Sequence, residues 1–176
     1  SKYSLFIILI VMMIICGFAN ENFLTPSNLM NVAKQQTVNI LLALGAMLLI
    51  SAGCLDLAAG SNLALASVIA LYAYKAVPSV LVTFLVAIGV AIVCNMVSGA
   101  MVTAFNTPPF IATLSVQLMA RGMALYITQG QNQSGLGEDL AAVGQESTFG
   151  IPNSVYIVVV FILLSLIHIS EPTRPL

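Results

Sequence analysis

The stretch VLVTFLVAIGVAIVCNMVSGAMV, residues 80–102, decides the fold class of this chain. It is predominantly apolar and contains no charged side chain from its first residue to its last. A helix of about 20 such residues crosses the hydrocarbon core of a bilayer, which is about 30 Å thick. This stretch therefore predicts a transmembrane helix.

The composition of the whole chain extends this prediction beyond one helix. Hydrophobic residues make up 60% of the sequence and charged residues 6%, and the mean hydropathy is +1.05. A soluble globular domain carries roughly a quarter of charged residues, so a water-soluble domain is excluded. We predict an all-α, polytopic transmembrane helical bundle. The net charge of −1 and the lack of basic runs argue against nucleic-acid binding and a polybasic lipid anchor.

Apolar segments on both sides of residues 80–102 give five predicted spans and a shortened sixth stretch. An amphipathic interfacial helix, started by Thr25 and Pro26, is predicted before the second span. Residues 131–153 are polar and are predicted to form a solvent-exposed loop. The predicted spans are residues 3–19, 38–53, 57–74, 80–102 and 110–130, and the sixth stretch is residues 154–166.

The second and third predicted spans are separated by a break that contains an acid. We predict that Gly53 ends one helix and that Asp56 caps the next by accepting the amide hydrogen of Ala58 or Ala59. Lipid cannot satisfy the backbone groups that a broken helix leaves unpaired, so a capping side chain is needed there. The alternative is an ion pair between Asp56 and Arg121.

Three stretches in order resemble one family of membrane proteins. ISAGCLDLAAGSNLALAS, residues 50–67, looks like the GIDLSVGS signature of permease subunits in sugar-importing ABC transporters of the ribose, galactose and xylose type. FNTPPFIATLSVQLMARGMALYITQG, residues 105–130, is similar to that family's PAFIxTLxxxxxxRGxxxxxxxG segment. Residues 23–50 match a third block. Cys54 and Leu55 replace the family's Gly-Ile before the aspartate, and Ala58 and Ala59 replace its Ser-Val.

This resemblance implies a function and a set of partners. It implies a permease subunit that translocates a small polar solute, such as a monosaccharide or polyol, and that is not itself an enzyme. The implied partners are an ATP-binding subunit, a periplasmic sugar-binding protein, a second permease subunit and the lipid of a bacterial inner membrane. No cofactor or metal is predicted. The family also places the amino end inside and the loop of residues 131–153 outside.

Polar side chains within predicted spans are the candidate functional residues, because such groups are costly in lipid unless they face protein or water. For Arg121, inward packing against carbonyls is preferred over a place in the translocation pathway, and Gln117 shares its helical face. For Asn95 an interhelical hydrogen bond is preferred. For Ser61 and Asn62 both roles stay open. The candidates are Asp56, Ser61, Asn62, Asn95, Gln117 and Arg121.

The carboxyl end of the chain carries a separate prediction. LSLIHISEPTR, residues 164–174, resembles a translated sequencing adapter, and the family's basic coupling loop does not appear. We therefore predict a partial transmembrane permease domain at 1–163 and a non-native tail at 164–176, and we discount His168. An intramembrane enzyme and a non-functional truncated fragment are the alternative readings of the chain.

Overall fold

The structure is a computed structural model that describes residues 3–133, 137–148 and 151–170. Helices dominate these residues, and the strands among them are two residues long each. This confirms the predicted all-α class. The elements are α1 (Ser4–Ala19), α2 (Pro26–Ser51), α3 (Ala59–Ala76), α4 (Val80–Ala104), α5 (Pro109–Thr128), α6 (Glu138–Gln145), β1 (Ser147–Thr148), β2 (Ile151–Pro152) and α7 (Asn153–Ser170).

Helix α2 is longer than the sequence predicted. A separate interfacial helix was expected before a span starting at Val38, whereas α2 runs without interruption over Pro26–Ser51. Its start is as predicted: the Thr25 hydroxyl oxygen accepts an amide hydrogen of the first turn at 3.4 Å, and Pro26 occupies the first helical position. Residues 27–44 contain no glycine or proline, so nothing ends the helix at the predicted boundary.

Gly53 terminates α2, as predicted, through a Schellman motif. Its φ of 78° is left-handed, and its amide donates to the Ile50 carbonyl at 3.0 Å. The amide of Cys54 donates to the Leu49 carbonyl at 2.9 Å. These two bonds satisfy carbonyls that the helix end would otherwise leave unpaired, so the chain can leave the helix inside an apolar environment.

Substituting Gly53 by alanine is expected to destabilise the folded chain by about 1 kcal/mol, because a Cβ disfavours positive φ. No atom lies within 4 Å of the position that this Cβ would take, so the loss is backbone strain alone. Thermal unfolding in detergent micelles measures the effect. Gly122→Ala, in the interior of α5 and with equally open surroundings, is the matched control and should not destabilise. Equal melting temperatures for Gly53→Ala and wild type would contradict the role given to this glycine.

The packed core lies among α3, α4 and α5, the helices that share the most extensive contacts. Leu65 of α3 forms a buried cluster with Ala120 and Ala124 of α5. Helices α3 and α5 run parallel, since the Thr113 hydroxyl bonds the Leu55 carbonyl near their amino ends and the Tyr72 hydroxyl bonds the Ile127 carbonyl near their carboxyl ends. Alanines at the contacts let these helices approach closely, as in other membrane bundles.

Three helices, α2, α4 and α5, are long and apolar enough to cross a membrane. Helix α1 and the apolar part of α7 are shorter. Helix α3 is less apolar because it includes Asn62 and Lys75. The described residues thus agree with a helical membrane bundle, and the number of spans stays a prediction. None of the residues of α1 is buried.

The segment predicted as a polar loop, residues 131–153, is partly structured. It contains α6, and β1 pairs antiparallel with β2. Asp139 and Glu146 are exposed, as a polar loop requires. Asp139, near the start of α6, complements the positive end of that helix, which the loop prediction did not include.

Helix α7 also differs from its predicted length. It was expected to end at Leu166 but extends to Ser170. Residues 153–171 contain no glycine or proline, so nothing in the sequence ends the helix before Ser170. Residues 171–176 and the side chain of His168 fall outside the described residues. The non-native character of residues 164–176 stays a prediction.

Candidate functional site

A cavity with largely apolar walls and several polar side chains opens where the chain breaks between α2 and α3, and we call it the break cavity. Its volume is about 620 Å³. It is bounded by the carboxyl half of α2, the break itself, the carboxyl half of α4 and the first turn of α5. Its polar side chains are Asp56, Asn95, Ser98, Thr103 and Thr113. The cavity therefore gathers two of the six predicted candidates, Asp56 and Asn95.

Asp56 makes the predicted capping contact, but the helix starts later than expected. Its Oδ1 accepts the amide hydrogen of Ala58 at 2.7 Å. Helix α3 begins at Ala59, with Ala58 as its N-cap residue, rather than at Leu57. Asp56 thus acts from two residues before the N-cap, where a short acidic side chain can reach an amide two positions ahead. Its negative charge also complements the positive end of α3.

The alternative pairing of Asp56 with Arg121 is not formed. Arg121 lies on the exposed surface of α5 and lines a second cavity, which we call the distal cavity. Within the part of the chain that the structure describes, no ion pair joins the two. The reason is the parallel arrangement of α3 and α5, which brings Asp56 to the first turn of α5 and leaves Arg121 farther along that helix.

Thr113 ties the break to α5. Its side chain is 7% exposed, and its hydroxyl lies 3.3 Å from the Leu55 carbonyl and 2.9 Å from the Pro109 carbonyl of its own helix. The hydroxyl can thus donate to the Leu55 carbonyl, which belongs to the break and has no partner within a helix. Sequence reasoning did not select this residue as a site candidate, although it stood in the motif that includes Arg121.

Replacing Thr113 by valine is expected to destabilise the chain by about 1 kcal/mol, since the shape is kept and one buried hydrogen bond is lost. Thr128→Val is the matched control, because the Thr128 hydroxyl bonds only carbonyls of α5 itself. Thermal unfolding of both variants in the same detergent gives the comparison. An equal loss in both would show that the contact between Thr113 and the break adds nothing.

On the α4 side of the cavity, the hydrogen bond of Asn95 differs from the predicted one. Its Nδ2 donates to the Ala91 carbonyl of its own helix at 2.8 Å, so the preferred interhelical bond is wrong. Asn side chains within helices can bond the carbonyl one turn back in place of a partner on another helix. Ser98, Thr103 and Asn95 repeat at helical spacing and so share a face of α4, a signal that could have found the two hydroxyls.

Ser61 and Asn62 lie inside the helix contacts rather than on a cavity wall. They are 5% and 4% exposed. Both amide atoms of Asn62, Oδ1 and Nδ2, are buried without a hydrogen-bond partner. Such a group costs stability, so its presence calls for an explanation beyond packing.

The distal cavity lies toward the carboxyl ends of α3 and α5. Arg121 shares it with Ser67 and the polar residues that follow α5 and is exposed in the described chain, so its inward packing stays a prediction. Gln117 is half-buried and is absent from the walls of both cavities. Among the described residues no cluster of three or more His, Cys, Asp or Glu side chains could hold a metal ion.

Comparison with known proteins places this arrangement in a family. Residues 28–173 match the family described as the permease component of a branched-chain amino acid transport system. That range includes the break, both cavities and helices α3 to α5. The chain belongs to this permease family. Its members are transport components, in agreement with the prediction that the chain is not an enzyme.

Individual relatives of this permease are sugar importers by name. It is 34% identical to the ribose import permease protein RbsC of Bacillus subtilis, over 93% of this chain and 52% of the relative. It is 30% identical to the fructose import permease protein FruF of Bifidobacterium longum, over 88% and 48%. It is 32% identical to the galactofuranose transporter permease protein YtfT of Escherichia coli, over 81% and 41%. These matches confirm the resemblance predicted from the three motifs.

The permease chain spans about half the length of the curated relatives that it matches. No solved structure matches it significantly. Family membership and the apolar helices together make it a multi-pass membrane protein.

Proposed function

We propose that the full-length protein containing this chain is the membrane-spanning permease subunit of an ABC importer for a monosaccharide or a related polyol. The observation that carries the proposal is the similarity to ribose, fructose and galactofuranose permeases over most of the chain. The break cavity adds support, because it brings polar side chains together between apolar helices. Discontinuous helices of this kind commonly line the solute path in transporters.

The proposed partners follow from the same similarity. They are an ATP-binding subunit that supplies the energy, a periplasmic binding protein that delivers the sugar, and a second permease subunit, identical or different. The proposed location is the bacterial inner membrane. We further propose that Asp56, Asn95 and Asn62 belong to the solute path near the break, and that Arg121 lies at the distal cavity, apart from them. Ser61 and Gln117 are proposed as packing residues.

Uptake by cells tests the proposal. The full-length permease, its ATP-binding subunit and its binding protein are expressed in a bacterial host that lacks its own sugar importers. Uptake of radiolabelled D-ribose, D-galactose and D-fructose is then measured. At least one should accumulate, and accumulation should vanish when the ATP-binding subunit cannot hydrolyse ATP. Because the family description names branched-chain amino acids, L-leucine is the comparison solute. Uptake of leucine without sugar would contradict the proposal.

A further inference from the structure

The hydroxyl groups of the break cavity have their protons already engaged. Ser98, Thr103 and Thr113 each donate to a carbonyl four residues earlier in their own helix, at 3.4, 2.8 and 2.9 Å. A hydroxyl has one proton to donate and two lone pairs to accept with. These three side chains can therefore offer a solute only acceptors.

Asp56 and Asn95, the other two of the five polar side chains, also offer mainly hydrogen-bond acceptors to the cavity. Oδ1 of Asp56 holds the Ala58 amide, while its second oxygen has no hydrogen-bond partner among the described residues. An ionised carboxylate accepts and cannot donate. Asn95 has engaged one Nδ2 hydrogen with its own helix, which leaves its Oδ1 and one hydrogen available. The side chains of the cavity thus offer several acceptors, one spare amide hydrogen on Asn95 and the weakly donating thiol of Cys54.

A group of acceptors in an apolar setting favours a solute that brings hydrogen-bond donors. We propose, resting on the proposed function, that the break cavity is a sugar subsite that recognises hydroxyl groups by accepting their hydrogens. Asp56 is the strongest acceptor, because hydrogen bonds to a charged group are roughly twice as strong as neutral ones. The cavity volume of about 620 Å³ lies within the range of small-molecule sites.

Asn62 supplies an independent observation that points to a ligand at the same place. It lies one helical turn beyond Ala59, which lines the cavity. Its side chain is 4% exposed, and neither amide atom has a partner. An unpaired amide that deep is explained if it pairs with the solute when the helices part. Asn62 is not part of the cavity lining, so it becomes the inner contact of the subsite, and supplies hydrogen-bond donors there, only when the helices part.

Binding measured without the binding protein tests this subsite directly. The full-length permease is placed in lipid nanodiscs, and saturation-transfer NMR reports the binding of the sugar that the cells accumulate, taken here as D-galactose, and of its monodeoxy and monodeoxyfluoro forms. Fluorine keeps the size of a hydroxyl and cannot donate. If the site reads hydroxyl hydrogens, fluorination and deoxygenation at a contacting position should weaken binding by the same factor. Fluorinated sugars that bind as tightly as galactose would overturn the proposal.

Variants of the wall residues give a second readout. Thr103→Val and Ser98→Ala are expected to weaken galactose binding about two- to tenfold, the loss of one neutral hydrogen bond. Asp56→Asn replaces a charged acceptor by an amide that can still cap α3, and should weaken binding about tenfold or more. Thr83→Val is the control, because Thr83 makes the same bond to its own helix outside the cavity. A loss of the same size in Thr83→Val would overturn the assignment of the site.

The experiments distinguish a failure of the proposed transport function from a failure of the proposed sugar subsite. If no sugar enters cells that express the whole transporter, the proposed function is wrong. If sugar enters but wild-type permease gives no binding signal in nanodiscs, or the wall variants bind as wild type does, only the subsite is wrong.

Discussion

Asn62→Leu is expected to stabilise the folded chain by about 2 kcal/mol, because leucine has the same branched heavy-atom skeleton as asparagine and brings no polar atoms to desolvate. The amide it replaces is buried and has no hydrogen-bond partner. Most substitutions at buried positions destabilise, so the sign of this effect is distinctive. Thermal unfolding in detergent micelles measures it.

Asn95→Leu is the matched control for this gain. Asn95 is exposed, and its amide bonds the Ala91 carbonyl, so the same change removes a satisfied group. No stabilisation is expected there. In the full-length permease, Asn62→Leu should also abolish sugar uptake. The variant lacks the amide that contacts the sugar, although its fold is more stable. A variant at position 62 that melts lower than wild type would show that the amide already has a partner.

Ala112→Leu is expected to have the largest destabilising effect, about 3 kcal/mol, at the upper end of the usual cost of overpacking. The Ala112 side chain has no exposed surface, and it belongs to the first turn of α5, beside the residue that bonds the break. A larger side chain there must push α5 away from its neighbours. Loss of the Thr113 contact would follow, so the melting temperature should fall well below that of Thr113→Val.

An alanine-to-leucine substitution on an exposed helix face is the control. It distinguishes steric crowding at Ala112 from a general effect of introducing leucine. Ala100 lies on the exposed surface of α4, and Ala100→Leu should melt within about 0.5 kcal/mol of wild type, as surface substitutions usually do. If both variants lose the same stability, tight packing at Ala112 is not the cause.

Local chemistry made the break predictable from sequence. Gly53 was recognised as a helix end because glycine alone takes a left-handed φ without strain, and the Asp56 contact with Ala58 followed from the need to cap a helix in lipid. The span of α4 matched its prediction closely, since turns flank a long apolar run. Each of these features depends on neighbours in the chain.

Features that depend on distant contacts were not predictable. The sequence left a pair of Asp56 with Arg121 as the alternative to capping, and the place of Arg121 in a separate cavity follows only from the parallel packing of α3 and α5. The role of Thr113 needs Leu55, which is far away in sequence and near in space. The isolation of the Asn62 amide likewise depends on tertiary packing that buries both of its polar atoms without a partner.

Helix α1 has a consequence for how the molecule sits in its membrane. No residue of α1 is buried against the rest of the described chain, and large apolar side chains surround its axis on all sides. Lipid tails meet nearly the same surface whichever way such a helix is turned, and among the described residues of α1 only its carboxyl end, at Cys16 and Gly17, is half-buried. Along the rest of α1, turning about the helix axis thus meets little energetic preference, whereas α3, α4 and α5 are held by their contacts with one another. A neighbouring subunit that touches α1 would fix its orientation at almost no cost to the bundle.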